Sequence, residues 1–144
     1  MDTKFSSAIH MLILISEAET PMTSEEIAAS VGTNASYIRK ITGLLKKKEI
    51  IESRQGATGY RLLIKAEELT LLEVYRAVSE SEQVHVFDLH QNPNDLCIVG
   101  KHIKPVLKDV FRSIEEKAEQ ELRNTTLRDC MDRMRREIES RSDR

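Results

Sequence analysis

The sequence predicts a mainly α-helical protein with one small β-hairpin. Three stretches of its 144 residues carry that prediction: two short capped helices over 23–48, a hairpin with two glycines near its tip over 50–63, and a long one-sided helix over 101–123.

Taken in order, residues 4–17 read as a first helix. Phe5, Ala8, Ile9, Leu12, Ile13 and Ser16 recur at helical spacing, and Met11, Leu14 and Ile15 extend burial to more than one side. His10 reads as structural or solvent-facing. Pro21 breaks the chain. Thr23 with Glu26 then forms a capping box, because each can satisfy a backbone N–H that the first helical turn leaves unpaired. Ile27, Ala28 and Val31 share a face of the helix this box opens, and Gly32 ends it.

Asn34 can cap the next helix. Its apolar positions are Ile38, Ile41, Leu44 and Leu45; Ser36, Tyr37, Arg39, Lys40, Gly43, Lys46 and Lys47 lie outside that stripe. Gly43 costs about 1 kcal/mol of helix propensity against Ala. Two short helices at this spacing, the second basic, form a helix-turn-helix pattern.

Ile50, Ile51 and Ser53 lead into Arg54-Gln55-Gly56-Ala57-Thr58-Gly59, and Tyr60, Leu62 and Leu63 lead out. The glycines supply the positive-φ positions a loop of this length needs. Arg54 and Arg61 flank the tip. A helix-turn-helix followed by a basic hairpin is a winged-helix arrangement: one helix enters the major groove of DNA, and the wing reaches phosphates or a narrow minor groove that attracts Arg.

Charge supports that arrangement locally. The net charge is only −2, yet residues 33–65 hold eight basic groups against Glu49 and Glu52, a local +6, while residues 1–32 carry −4. Binding DNA needs positive charge concentrated on one face rather than a high total. Taken alone, Lys46, Lys47 and Lys48 would be a solvated helix end favoured by the helix dipole.

Residues 65–69 are a connector. Thr70 with Glu73 is a second capping box, opening a helix with Leu71, Leu72, Val74, Tyr75 and Val78. Residues 79–100 change character. Pro93 between two asparagines signals a turn, and His85, His90 and Cys97, with His102 just beyond, raise the question of a metal. Against it, no C-x-x-C or H-x-x-x-H pair occurs, and ordinary loop packing explains the same residues.

The helix over 101–123 carries Ile103, Val106, Leu107, Val110, Phe111, Ile114, Ala118 and Leu122 on one stripe, with Pro105 expected in its first turn and charged residues, Glu115 and Glu119 among them, elsewhere. A one-sided helix outside a domain with its own core needs a covering surface. A second copy of the chain is the simplest one, and folding back on the monomer is the alternative. Thr126 and Asp129 can cap a last helix with Leu127, Cys130, Met131, Met134 and Ile138 on one side, fraying from Glu139. Three regions follow: a DNA-binding unit over 1–78, a His- and Cys-bearing loop over 79–100, which the resemblance given below makes a sensor loop, and a helical dimerisation region over 101–144.

No signal peptide and no spanning apolar run are found, so no membrane partner and a cytoplasmic location are expected. Cysteines 33 positions apart are no disulfide framework. No Gly-rich phosphate loop or nucleophile signature is present, so an enzyme is not expected. The competing reading is a winged-helix protein-interaction module that does not bind DNA specifically.

With AIHMLILIS, TSEEIAASVGTNASYIRKITGLLKKKEIIESRQGATGY, LTLLEVYRAV and HQNPNDLCIVGKHI in place, nearly the whole chain resembles the Rrf2 (BadM-type) family of bacterial transcription regulators. It looks closest to a cysteine-poor, YwnA-like branch. The resemblance implies a homodimeric repressor on a palindromic operator of double-stranded DNA, with Ile103, Val106, Leu107, Val110, Phe111 and Ile114 in the dimer seam. It carries DNA contact onto Asn34, Ser36, Tyr37, Arg39, Lys40 and Lys46, and onto Arg54, Gln55 and Gly56 of the wing. Members often place Arg directly before that Gly, so here Arg54 is the residue assigned to the minor groove. Cluster-binding members carry three cysteines in the loop. This chain keeps only Cys97, matching the last of them, which argues against an iron–sulfur cofactor. A thiol switch at Cys97, activated by Lys101 or His102, is then the sharpest sensing candidate, beside a Cys that merely packs and a bound small molecule.

Overall fold

The structure, a computed structural model, describes residues 2–53 and 59–141. Its elements are α1 (Lys4–Glu17), α2 (Ser24–Val31), α3 (Ala35–Lys47), β1 (Ile51–Ser53), β2 (Tyr60–Leu62), α4 (Leu71–Ser79), α5 (Ile98–Asn124) and α6 (Leu127–Arg141).

Local signals set most of these boundaries. The Thr23 hydroxyl accepts from Glu26 N, and the Glu26 carboxylate accepts from Thr23 N, both at 3.1 Å. Gly32 closes α2 in the left-handed region at φ +86°, a conformation that costs a side-chain-bearing residue energy. Asn34 Oδ1 accepts from Tyr37 N at 2.9 Å, and the Thr70–Glu73 box repeats the device at α4. Glu49, also left-handed at φ +57°, ends α3, with Ile50 N donating to Leu45 O at 3.1 Å.

One core joins the winged unit. Met11 and Leu12 of α1, Ile27 of α2, Ile38, Ile41 and Leu45 of α3, Ile50 and Ile51 at the wing root, and Val74 and Val78 of α4 are sealed from solvent together. Each buried aliphatic side chain of this size contributes about 1.5–3 kcal/mol. β1 and β2 pair antiparallel, Ile51 opposite Leu62 and Ser53 opposite Tyr60.

The chain leaves this unit along α5 and returns to it. Leu71 N donates to Thr125 O at 2.9 Å, Leu127 N to Leu69 O at 2.8 Å and Arg128 N to Ala66 O at 3.1 Å, so Leu127 and Met131 of α6 belong to the winged core. Between α4 and α5, residues 84–88 form a strap bound to α5. Val84 N donates to Glu119 Oε1 at 3.2 Å, and Val86 N and Phe87 N donate to Glu115 Oε2 at 2.7 and 3.3 Å.

Four readings change. First, α5 begins at Ile98, three residues before the expected start. Gly100 permits it: a Cβ there would lie 2.1 Å from Asn94 O, so only glycine lets the Asn94 turn fold onto the helix. Second, Pro105 is therefore the eighth residue of α5, beyond its first turn, where its missing N–H leaves one helical bond unmade. Third, Glu115, read as one of the charged outer positions, is buried because it accepts the strap's N–H groups. Fourth, α6 extends past Glu139 to Arg141, with the Glu137–Arg141 ion pair and Ser140 Oγ donating to Glu137 O at 2.9 Å in its last turn; the rest of the tail expected to fray, 142–144, lies outside the described residues.

Candidate DNA-binding interface

The outer face of α3 is built from its inner one. Ile38, Ile41, Thr42 and Leu45 are buried, which turns Ser36, Arg39, Lys40, Gly43, Lys46 and Lys47 to solvent. Asn34 is exposed and spends its side chain on the cap. Tyr37 is half-buried and packs against the core, so its ring holds the start of α3 in place. The Arg39 guanidinium lies 3.3 Å from the Glu25 carboxylate of α2, with both side chains largely exposed. An exposed pair of this kind is worth little and yields readily to a stronger anion.

The wing is joined to the helices at its root. Lys46 Nζ donates to Ser53 Oγ at 3.1 Å and stands 6.0 Å from the centre of the Tyr60 ring. Tyr60 Oη and Ser24 Oγ lie 2.9 Å apart, and a Cβ on Gly59, at φ +117°, would come within 2.3 Å of Pro21 Cβ. Arg61 pairs with Glu52 across the hairpin. Arg54, Gln55 and Gly56, expected at the tip, lie outside the described residues. Gly59 takes the positive φ expected of a loop glycine, whereas the Ser24–Tyr60 contact was not read from sequence, because it joins residues 36 positions apart.

The Asp2 carboxyl is held below its usual range, chiefly by the N–H of Lys4, then by the Lys4 ammonium, with a smaller contribution from Lys40 of α3.

Farther off, Cys97 is exposed and occupies the N-cap position of α5. Its side chain makes no capping hydrogen bond, yet the N–H groups of Gly100 and then Val99 favour its thiolate and lower its pKa. The lowering comes from the helix start rather than from Lys101 or His102. His102 Nδ1 is engaged with Ile98 O at 2.9 Å. Cys130 packs against the core, and burial pushes its thiol up.

The α5 stripe divides. Ile103, Leu107 and Phe111 are half-buried, Phe111 against Phe87 of the strap with ring centres 5.0 Å apart. Val106, Val110 and Ile114 remain 45–55 % exposed.

The family profile of Rrf2, described as an iron-dependent transcriptional regulator, matches residues 1–133. The chain belongs to the Rrf2 family. It is 41 % identical over 134 residues to YwnA of Bacillus subtilis (strain 168), described as a candidate HTH-type transcriptional regulator, covering 93 % of this chain and 98 % of that one. A crystal structure described as a candidate DNA-binding protein is 40 % identical, with a TM-score of 0.72 over 89 % of this chain and 98 % of that one. IscR of T. potens (20 % identity, TM-score 0.69, 93 % and 87 % covered) and CymR of B. subtilis (17 %, 0.66, 90 % and 94 %) share the fold.

As an Rrf2 member the chain is a transcriptional regulator with a DNA-binding fold, and not an enzyme. The iron in the family's description does not match the donors present. The loop supplies one thiol, Cys97, while Cys130 is on α6 against the core. Among the described residues no three His, Cys, Asp or Glu side chains are grouped to hold a metal ion. No helix among them is long and apolar enough to cross a membrane.

Proposed function

We propose that the chain is a homodimeric repressor that reads a palindromic operator through α3 and the wing and is released by oxidation of Cys97. The observation that carries the DNA reading is the outer face of α3: Ser36, Arg39, Lys40 and Lys46 stand in solvent beside a wing rooted on the same helix. Arg39 and Lys40 suit guanine edges, and Ser36 and Tyr37 hydroxyls suit phosphates. The exposed Val106, Val110 and Ile114 support a second copy on α5, and two copies would present two half-sites.

Cys97 supports an oxidant signal because its thiolate is both favoured and accessible. The thiolate attacks a hydroperoxide, the O–O bond breaks, the sulfur becomes a sulfenic acid and an alcohol or water leaves. Operator selection from random duplexes, followed by binding of reduced, peroxide-treated and Cys97→Ser protein, tests the proposal. An enriched palindrome released by peroxide from the wild type alone supports it. A palindrome indifferent to peroxide removes the redox part. No enrichment favours the interaction-module reading.

A further inference from the structure

A cavity of about 490 Å³ opens between α1, the C-terminal half of α4 and the strap. Its walls are Phe5 and Tyr75, in edge-to-face contact with ring centres 5.4 Å apart, together with Val78 and Val86. Its rim holds Asp2, Lys4, His85 and Asp88. An apolar body with a few converging polar groups, at a junction between structural units, is the usual form of a small-ligand site.

The rim charges indicate what the cavity would take. Lys4 Nζ is already 3.5 Å from Asp2, and His85 Nε2 is 2.7 Å from Asp88, with His85 Nδ1 3.7 Å from Glu115 behind it. Asp2 and Asp88 thus share the rim with one ammonium and one imidazole, so the rim is net negative while the imidazole is neutral, and the carboxylate of Glu115, buried behind His85, adds to the negative field.

We propose that this cavity binds a small aromatic amine, its ring against Phe5, Tyr75 and Val86 and its ammonium between Asp2 and Asp88. The site goes beyond the thiol-switch reading and does not depend on it.

The test titrates the full chain with phenethylamine, phenethyl alcohol and 3-phenylpropionate while following amide shifts by NMR. The amine is expected to perturb Phe5, Tyr75 and Val86 and to bind about tenfold more tightly than the carboxylate, a 1.4 kcal/mol difference. Val86→Trp, at a position 43 % exposed and so tolerant of bulk, would fill the mouth and abolish the shifts. Asp88→Asn would weaken the amine without affecting the alcohol. No shifts with any probe, equal binding of amine and carboxylate, or unchanged binding to Val86→Trp would overturn the site.

Discussion

Tyr60 Oη lies 2.9 Å from Ser24 Oγ, a hydrogen bond that joins the outgoing wing strand to the first helix of the helix-turn-helix. Ser24 is buried and Gly59 abuts Pro21, so the bond sits in a packed seat. Tyr60→Phe removes only the hydroxyl. We expect about 1 kcal/mol lost in stability, with a comparable, roughly fivefold, loss of operator affinity as the wing loosens. Thermal unfolding and a binding isotherm measure both. Ser24→Ala in the same background should add little, because the two residues act as one.

Arg39→Ala and Lys40→Ala separate DNA reading from folding. Both side chains are exposed, and the Arg39–Glu25 pair is a surface one, so the melting temperature should hardly move. Each substitution should cost about 1–3 kcal/mol in specific binding if the side chain reaches a base edge. Phosphate contacts would instead weaken all duplexes alike and flatten the salt dependence. Unchanged operator binding by the double variant would remove α3 as the reading helix.

The helix boundaries were legible in the sequence because their signals are local. Thr23 with Glu26, Thr70 with Glu73, Asn34 and Gly32 act within one helical turn, and the observed caps are the ones their spacing implies. What was hidden depends on distant partners. Glu115 follows Phe111 by four residues and shares its face, but nothing local says that Val86 and Phe87 will present N–H groups to it. Thr42 is buried at 2 % exposure because its hydroxyl donates back to Arg39 O at 2.9 Å, which lets a polar residue pass as core. The early start of α5 turned on the meeting of Gly100 and Asn94, a contact that no periodicity reports.

The divided stripe of α5 makes a sharper test of dimerisation than removing the whole face. Phe111 already packs on Phe87, so charging it would damage the chain's own fold. Val110 and Ile114 are 47 % and 45 % exposed, so Val110→Glu with Ile114→Glu should leave the monomer folded. If a second copy covers this face, the double variant elutes and scatters as a monomer with native circular dichroism. A stable dimer would move the interface elsewhere.

The strap should come free when its anchor is cut. Glu115→Ala leaves Val86 N and Phe87 N without their acceptor, and losing such a buried partner costs about 1–3 kcal/mol. Amide exchange at Val86 and Phe87 should accelerate in Glu115→Ala and change less in Glu115→Gln, which keeps an acceptor oxygen. Val84, held by Glu119, should respond less than either. Equal exchange in all three proteins would mean that the strap is held by Tyr75, whose hydroxyl accepts from His85 N at 3.1 Å.

The two thiols should part company in a pH titration of alkylation. Only the thiolate reacts, so the rate follows the deprotonated fraction. Helix-start N–H groups lower the Cys97 pKa, so its rate should reach a plateau at a lower pH than that of an ordinary thiol. Burial raises that of Cys130, whose rate should still be climbing there. Lowering the pH protonates Cys97 last, so selectivity for it over Cys130 should increase toward neutral pH. Mass spectrometry of iodoacetamide-treated protein reads both sites at once. Replacing Lys101 by Ala should leave the Cys97 profile in place, because backbone groups rather than that ammonium favour the thiolate. A profile that moved up with Lys101→Ala would return the activation to the side chain.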